Sequence, residues 1–515
     1  MNSEGNEKIV KIYDQLPLNL YTNYEQAATN FPNTAIIVDE EMQAFPELGK
    51  ETTYAASLVS IKKRAAQLAT LGVRQGDHVL IYKRPAFDTY LLAVAVSYLG
   101  AVPVMVSYHL PTTTIAIFIE RLDQPYILYD EVTAQRVAAV NRQEYQKNKT
   151  ISAVIASEET LIEQVNLPQT AISYITHTSG TTGVPKLICH SAESMGWRTA
   201  WQKSVLSEMT EIKLVGFHIS PVHSRFNIGI SSLMTFGFPL LALANAQIES
   251  VAEMLANYQP IALETHPNHF VQWAQLALEK PELFQQTRYF HSTFDAINNG
   301  TMRSFLQASQ AEQPVFLQVY GQSECGPMIL KAHTLVSLKH SDARNMGKGL
   351  KPFTSARICN ERGDVLPANT DGFIQFLSKG RALTYYQEDA RFQQATYGEW
   401  WDSGDYGYMD EQGQVYLKDR QVDLIETIDS TLALEDYLLD QLSFLAEVII
   451  VRGTDDRPQP IIALLSQAEM DWNAWWEKVS DLPYLHKPLI LPFAEIPRTA
   501  TMKVQRLMLE KALKK

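Results

Sequence analysis

Cysteine is scarce in this chain. Only Cys189, Cys325 and Cys359 occur among 515 residues; they are far apart, odd in number and never spaced CxxC. That excludes a disulfide framework and a thiolate zinc site, and a reducing, cytoplasmic compartment is expected. Positive charge is also short. Lys plus Arg total 44 against 57 Asp plus Glu, a net charge of −13, so no broad polyanion-binding surface and no nucleic-acid partner are expected. Glycine and proline, 24 each, are too few for a collagenous or low-complexity chain. No uninterrupted apolar run occurs either. Residues 89–107 and 228–246 approach the roughly 20 residues of a membrane span, but Gly100 and Pro103 break the first and Gly237 and Pro239 the second. Each reads as a buried helix turning into a buried strand, with no membrane span. The opening MNSEGNEKIVKIYDQL carries charge from Glu4 onward and lacks the apolar centre of an export signal.

What remains is an ordinary globular composition, 46% hydrophobic and 20% charged, long enough for more than one core. From Thr53 to Pro111 an amphipathic helical pattern (ASLVSIKKRAAQLATLG) leads through Gly76-Asp77 to the apolar strand HVLIY and then to the first helix-to-strand pair. Further strands are expected at YILYD (126–130), ISAVIA (151–156), LVGFHIS (214–220), QPIALET (259–265) and VFLQVYG (315–321). Such alternation predicts an α/β class with doubly wound parallel sheets. After about Ala343 short β-like runs broken by Arg362-Gly363-Asp364, Asp371-Gly372 and Glu411-Gln412-Gly413 predict a β-rich unit packed on that body. From about Gln421, two helical patterns around one strand, AEVIIVRG, predict a small α+β domain. The expected division is a large N-terminal portion, residues 1–420, holding two α/β subdomains and a β-rich one, then a small C-terminal domain, 421–515.

The most informative segment is YITHTSGTTGVPKLICH, residues 174–190. A β-like lead-in is followed by Thr178, Ser179, Gly180, Thr181, Thr182 and Gly183, then Pro185 and Lys186. Glycines let backbone wrap an anion closely, N–H groups and hydroxyls donate to phosphate oxygens, and the lysine adds charge. The string is not GxxxxGK[ST], because Pro185 precedes Lys186 and Leu187 follows it. A different class of phosphate loop is required.

TSGTTGVPK, with VYGQSECG (319–326), WWDSGDYGYMDEQGQVYLKDR (400–420) and IPRTATMKVQR (496–506), resembles the adenylate-forming superfamily of acyl-CoA synthetases, peptide-synthetase adenylation domains and luciferases. The layout is similar to a stand-alone acyl or aryl acid–thiol ligase. The resemblance implies ATP- and Mg²⁺-dependent activation of a small carboxylic acid as acyl-AMP with loss of pyrophosphate. Transfer to the thiol of CoA, or of phosphopantetheine on a carrier protein, would follow. It implies that the C-terminal domain is a mobile lid whose Lys503 bridges phosphate and acyl oxygens, and that Lys186 also serves the chemistry. Thr178 to Gly183, Lys186, Ala296, Tyr320, Gly321, Gln322, Ser323, Asp405 and Arg420 would bind ATP. Among these, Tyr320 would stack on adenine, Ser323 would donate to the α-phosphate, and Asp405 with Arg420 would take the ribose hydroxyls. Glu324 would hold the metal. The structural alternative for Asp405 and Arg420 is a surface ion pair.

For the acid, the resemblance implies His223 in HISPVHSRF at the pocket mouth. Arg225 faces either a second anionic group of the substrate or a protein carboxylate. Phe294 and Asp295 of STFDAI either narrow the pocket and supply charge or form a core aromatic beside a helix cap. Departures bear on the second step. Asp419 replaces the usual glycine before Arg420, Val422 the usual hinge Asp or Lys, and Met502 the glycine before the lysine. LIETIDSTLALEDYLL lacks the glycine pair of the pantetheine tunnel, while Leu187 hints at an aromatic or compact acid. Delivery to an amine or hydroxyl, and a non-catalytic nucleotide-binding role, are the alternatives to thiol transfer.

Overall fold

A computed structural model describes residues 11–140, 147–178, 184–293, 297–342, 344–465, 468–499 and 503–514. Its framework is two large sheets. The first runs, edge to edge, Thr384–Tyr385, Leu187–Ser191, Ile172–His177, Val102–Met105, His78–Tyr82, Tyr126–Tyr129, Asn148–Thr150. Strands 172–177 to 148–150 of this order are parallel and the other two antiparallel. In the second, five parallel strands (Val315–Gln322, Tyr289–Thr293, Ala262–Thr265, Val215–His218, Leu240–Ala242) continue in parallel to Ala35–Val38.

Side-chain alternation explains why the parallel strands read as continuous apolar runs. Val79 and Ile81 point into a cluster shared with Ile36, Val38, Leu240 and the helices Leu20–Asn30, Tyr54–Thr70, Phe87–Tyr98 and Ser224–Thr235. Leu80 and Tyr82 point the other way, into a cluster with Ile115, Phe118 and Val137. Both faces are dry, so both parities are apolar. Helix Phe87–Tyr98 lies between the sheets with residues 87–97 all buried, and for that reason its sequence approaches a membrane span in hydropathy. Among the described residues no helix is long and apolar enough to cross a membrane.

Two expectations are corrected, and a third is located in the fold. ISAVIA is helix, Ile151–Ile155: Thr150 accepts a hydrogen bond from the Ala153 N–H at 3.0 Å, and Ile151 with Val154 forms the buried stripe. The expected β-rich region is present, with a core around Ile358, Ile374, Phe376 and Trp401, and its strands extend the second sheet: Asn345–Gly349 pairs with Gly326–His333 on one side and with Val415–Arg420 on the other, and Trp400–Met409, Gly372–Ser378 and Thr354–Cys359 follow, giving 14 strands among the described residues. Beyond residue 421 the described residues form three strands where one was expected, Leu445–Arg452, Pro458–Leu464 and Leu489–Ile490, with helices Thr431–Gln441, Trp472–Val479 and Arg506–Leu513. Val448, Ile450, Ile462 and Trp475 pack on one face of this sheet and Ile449, Val451, Ile461 and Leu509 on the other.

Candidate active site

A cavity of about 670 Å³ opens where the two sheets meet the C-terminal residues, and its wall includes Thr178, Lys186, His223, Arg225, Tyr320, Gly321, Gln322, Ser323, Glu324, Asp405, Arg420 and Lys503. Every described residue assigned to the site from the sequence therefore lines one space. Ser179 to Gly183, Phe294, Asp295, Ala296 and Met502 lie outside the described residues.

Thr178 and Lys186 are joined by two bonds at 3.0 Å, from the Thr178 N–H to the Lys186 carbonyl and from the Lys186 N–H to the Thr178 Oγ1. Lys186 Nζ donates to the Tyr385 hydroxyl at 3.1 Å and lies 3.8 Å from Glu324 Oε1, which accepts from the same hydroxyl at 2.6 Å. Burial lowers the Lys186 pKa while Glu324 raises it, the former prevailing. Tyr320 ends strand Val315–Gln322, and its hydroxyl donates to Asp405 Oδ2. Gln322 Nε2 adds a bond of 3.3 Å to the same oxygen, and Arg420 Nε lies 3.6 Å from Asp405 Oδ1. Asp405 is buried, which raises its carboxyl pKa against the pull of Arg420, the Tyr320 bond and Lys503. The Asp–Arg pair is thus half inside the cavity rather than on the surface.

His223 immediately precedes helix Ser224–Thr235 and stands in a row of buried imidazoles, 6.4 Å from His177 and 6.5 Å from His266 between ring centres. Burial, with His177 and Lys503 adding positive potential, depresses its pKa to about 3. It is a neutral hydrogen-bonding wall at physiological pH. The open question about Arg225 is resolved toward the protein. Its Nε and NH2 meet the two oxygens of Glu264 at 2.6 and 2.7 Å, and its remaining bonds go to Gln202 and to His291 Nδ1. Arg225 holds Glu264 well below the usual carboxylate range despite burial.

The cavity roof comes from the C-terminal segment. Lys503 sits in a tight loop closed by the bridge between Arg498 and Val504, by the Thr499 N–H to Lys503 carbonyl bond at 2.8 Å and by Lys503 N–H to Thr499 Oγ1 at 3.2 Å. Asp419, the residue standing for a glycine, accepts from the Thr431 N–H at 2.9 and 3.2 Å and from its hydroxyl, capping the first C-terminal helix. Arg344 pairs with Asp436 of that helix across the same junction.

Two residues escaped the sequence reading. Tyr385, buried beneath Lys186 and Glu324, lies in an unremarkable TYYQ string. Arg198 is fully buried in helix Ala192–Leu206, AESMGWRTAWQKSVL. A usable signal was present there: this helix buries Arg198, Gln202 and Lys203 together, which an ordinary amphipathic helix does not do.

Among the described residues, a parallel-stranded body presents Lys186 to the cavity, opposite a carboxylate–tyrosine pair, Asp405 and Tyr320, under a C-terminal roof. The chain belongs to the AMP-binding enzyme family, whose model matches residues 24–386; it is an adenylate-forming enzyme. It is 32% identical to a 3-amino-2-hydroxy-4-methoxybenzoate diazotase of Streptomyces cremeus over 94% of this chain and 93% of that one. A 2-succinylbenzoate–CoA ligase of Oceanobacillus iheyensis is 26% identical over 74% and 76%. The fold matches that of an anthranilate CoA ligase solved with anthranoyl-AMP, at a TM-score of 0.81 and 17% identity, covering 97% and 98% of the chains.

Proposed function

We propose that this enzyme activates a small oxyanion by adenylation and delivers the activated group to an aromatic amine, forming a diazo compound. The observation that carries this reading is the 32% identity to a diazotase along nearly the full length of both chains, against 26% over about three quarters for the CoA ligase. Diazotisation joins an amine nitrogen to a nitrogen at the oxidation level of nitrite. Nitrite resembles a carboxylate in having two oxygens on one centre and a poor leaving group. A nitrite oxygen attacks the α-phosphate of ATP and expels pyrophosphate. The amine nitrogen then attacks the nitrosyl nitrogen and expels AMP, and loss of water leaves the diazonium, with no outside oxidant. Lys186 and the loop it closes hold polyphosphate, and Asp405 with Arg420 and Tyr320 holds the nucleoside. Lys503, from the mobile lid formed by residues 421–515, neutralises charge that develops at the reacting oxygens. Neutral His223 accepts or donates one hydrogen bond on the substrate side without competing for the proton. Among the described residues no group of three or more His, Cys, Asp or Glu is placed to hold a metal alone. One carboxylate, Glu324, beside bound phosphates is nevertheless a donor set that suits Mg²⁺, which would supply charge neutralisation there.

Thiol transfer is the second reading, favoured by the similarity to a CoA ligase; CoA or a carrier-protein arm would then be the acceptor. Purified enzyme with MgATP, nitrite and a panel of aminobenzoates at neutral pH separates the two. The expected result is AMP release that requires both nitrite and amine, with a diazo product trapped by azo coupling. AMP release that instead requires a carboxylate and CoA, with a thioester seen by mass, would overturn the first reading.

A further inference from the structure

Arg198 is a fully buried cation that forms no ion pair with a carboxylate among the described residues. Its Nε donates to the Gly380 carbonyl at 2.6 Å, NH1 to the Ser323 carbonyl at 3.1 Å and to Ser224 Oγ at 3.2 Å, and NH2 to the Glu324 carbonyl at 2.9 Å. Room is made for it: a Cβ on Gly326 would stand 2.8 Å from the Arg198 Cδ, and one on Gly380 2.6 Å from its Cγ. Burying a guanidinium on neutral acceptors is costly, and the cost lowers its pKa to about 10. The acceptors decide what this achieves. Two are successive carbonyls of the turn that carries Ser323 and Glu324 into the cavity. Another is the hydroxyl next to His223, on the substrate side. We infer that Arg198 is a positioning residue that registers the nucleotide-and-metal turn, Ser323–Glu324, against the substrate wall at His223–Ser224. Its fork holds the Glu324 main chain while Tyr385 holds the Glu324 carboxylate. The carboxylate that suits a metal is thereby fixed at both ends, and the positive charge lies beneath it. A lysine has the charge but no planar fork, and cannot serve the four acceptors together.

This inference rests on the adenylation reading of the site but not on the identity of the acceptor. The test compares wild type with Arg198→Lys, Arg198→Met and Arg198→Ala in the full chain. Dissociation constants for ATP are measured by calorimetry with MgCl₂ and with EDTA, and pyrophosphate release is measured with nitrite or benzoate. Magnesium should tighten ATP binding to wild type, and that enhancement should fall about tenfold in Arg198→Lys. Its turnover should drop about 100-fold, the scale of an ångström misplacement, while KM for ATP changes less than about fivefold. Guanidinium chloride added to Arg198→Ala should restore part of the turnover. Equal metal enhancement in wild type and Arg198→Lys, or none in either, would overturn the inference, since a purely structural arginine leaves that ratio unchanged in folded molecules. Should Arg198→Met and Arg198→Ala fail to fold, Arg198→Lys decides alone. If wild type releases no pyrophosphate with either anion, the substrate reading fails while the binding ratio still judges Arg198.

Discussion

The floor and the roof of the cavity are built on different terms. The floor residues Tyr320, Gln322, Glu324 and Asp405 sit on, or one turn beyond, strands of a single sheet, and each has a described hydrogen-bond partner in the protein. The roof lysine stands on a short loop between Arg498 and Val504, in a segment whose own sheet has three strands. On the proposed reading, the floor is preorganised for binding and the roof supplies one charge whose value is realised when charge develops during reaction.

That contrast can be broken at several points. The largest effect is expected from Lys503→Ala, which should slow adenylate formation about 1,000-fold and leave the ATP dissociation constant within about threefold, measured by pyrophosphate exchange and by calorimetry. Wild-type exchange in that variant would remove Lys503 from the chemistry. Next, Asp405→Ala should raise KM for ATP about tenfold, the scale of a lost charge-assisted hydrogen bond, with KM for the activated anion nearly unchanged. A reversed pattern would move Asp405 out of the nucleoside site.

A smaller effect concerns the junction of floor and roof. Burial raises the Asp419 carboxyl to about 6, with Thr431 working against the shift. An acid whose folded value lies above its unfolded value of about 3.9 stabilises the fold below that lower value and loses this contribution as pH rises through about 6. Melting temperatures of wild type should therefore fall relative to Asp419→Asn between pH 4 and pH 7, and parallel curves would contradict the assignment. The smallest effect is a flat one. With His223 held near 3, the pH–rate profile of adenylation should keep its shape between pH 5 and 8 in His223→Asn, while KM for the anion shifts a few-fold.

Much of this was legible in the sequence because the chemistry was local. TSGTTGVPK, the Tyr320–Glu324 turn, Asp405–Arg420 and Lys503 each declare their residue types within a few positions, and the cavity gathers the described ones. What was missed depends on distance. Arg198 acts on carbonyls 125 and 126 residues away and Tyr385 on a carboxylate 61 residues away, and carbonyls carry no sequence signature. The strand Pro458–Leu464 was hidden by its two prolines, which argue against a central strand, yet it pairs on both sides. ISAVIA was misread because six residues of small and apolar side chains satisfy either period, and the Thr150 cap settled the choice. Arg225 stayed open because its partner, Glu264, lies on a neighbouring strand 39 residues on.

One consequence follows from the 14-stranded sheet. Tyr320 and Asp405 are 85 residues apart in the chain but belong to one hydrogen-bonded lattice whose repeat is about 4.8 Å. Their separation is thus governed by strand pairing and twist, and the turns between those strands carry no share of it. The hairpin tip at Arg362-Gly363-Asp364 can accordingly lengthen or shorten over evolution while the Tyr320–Asp405 contact stays the same.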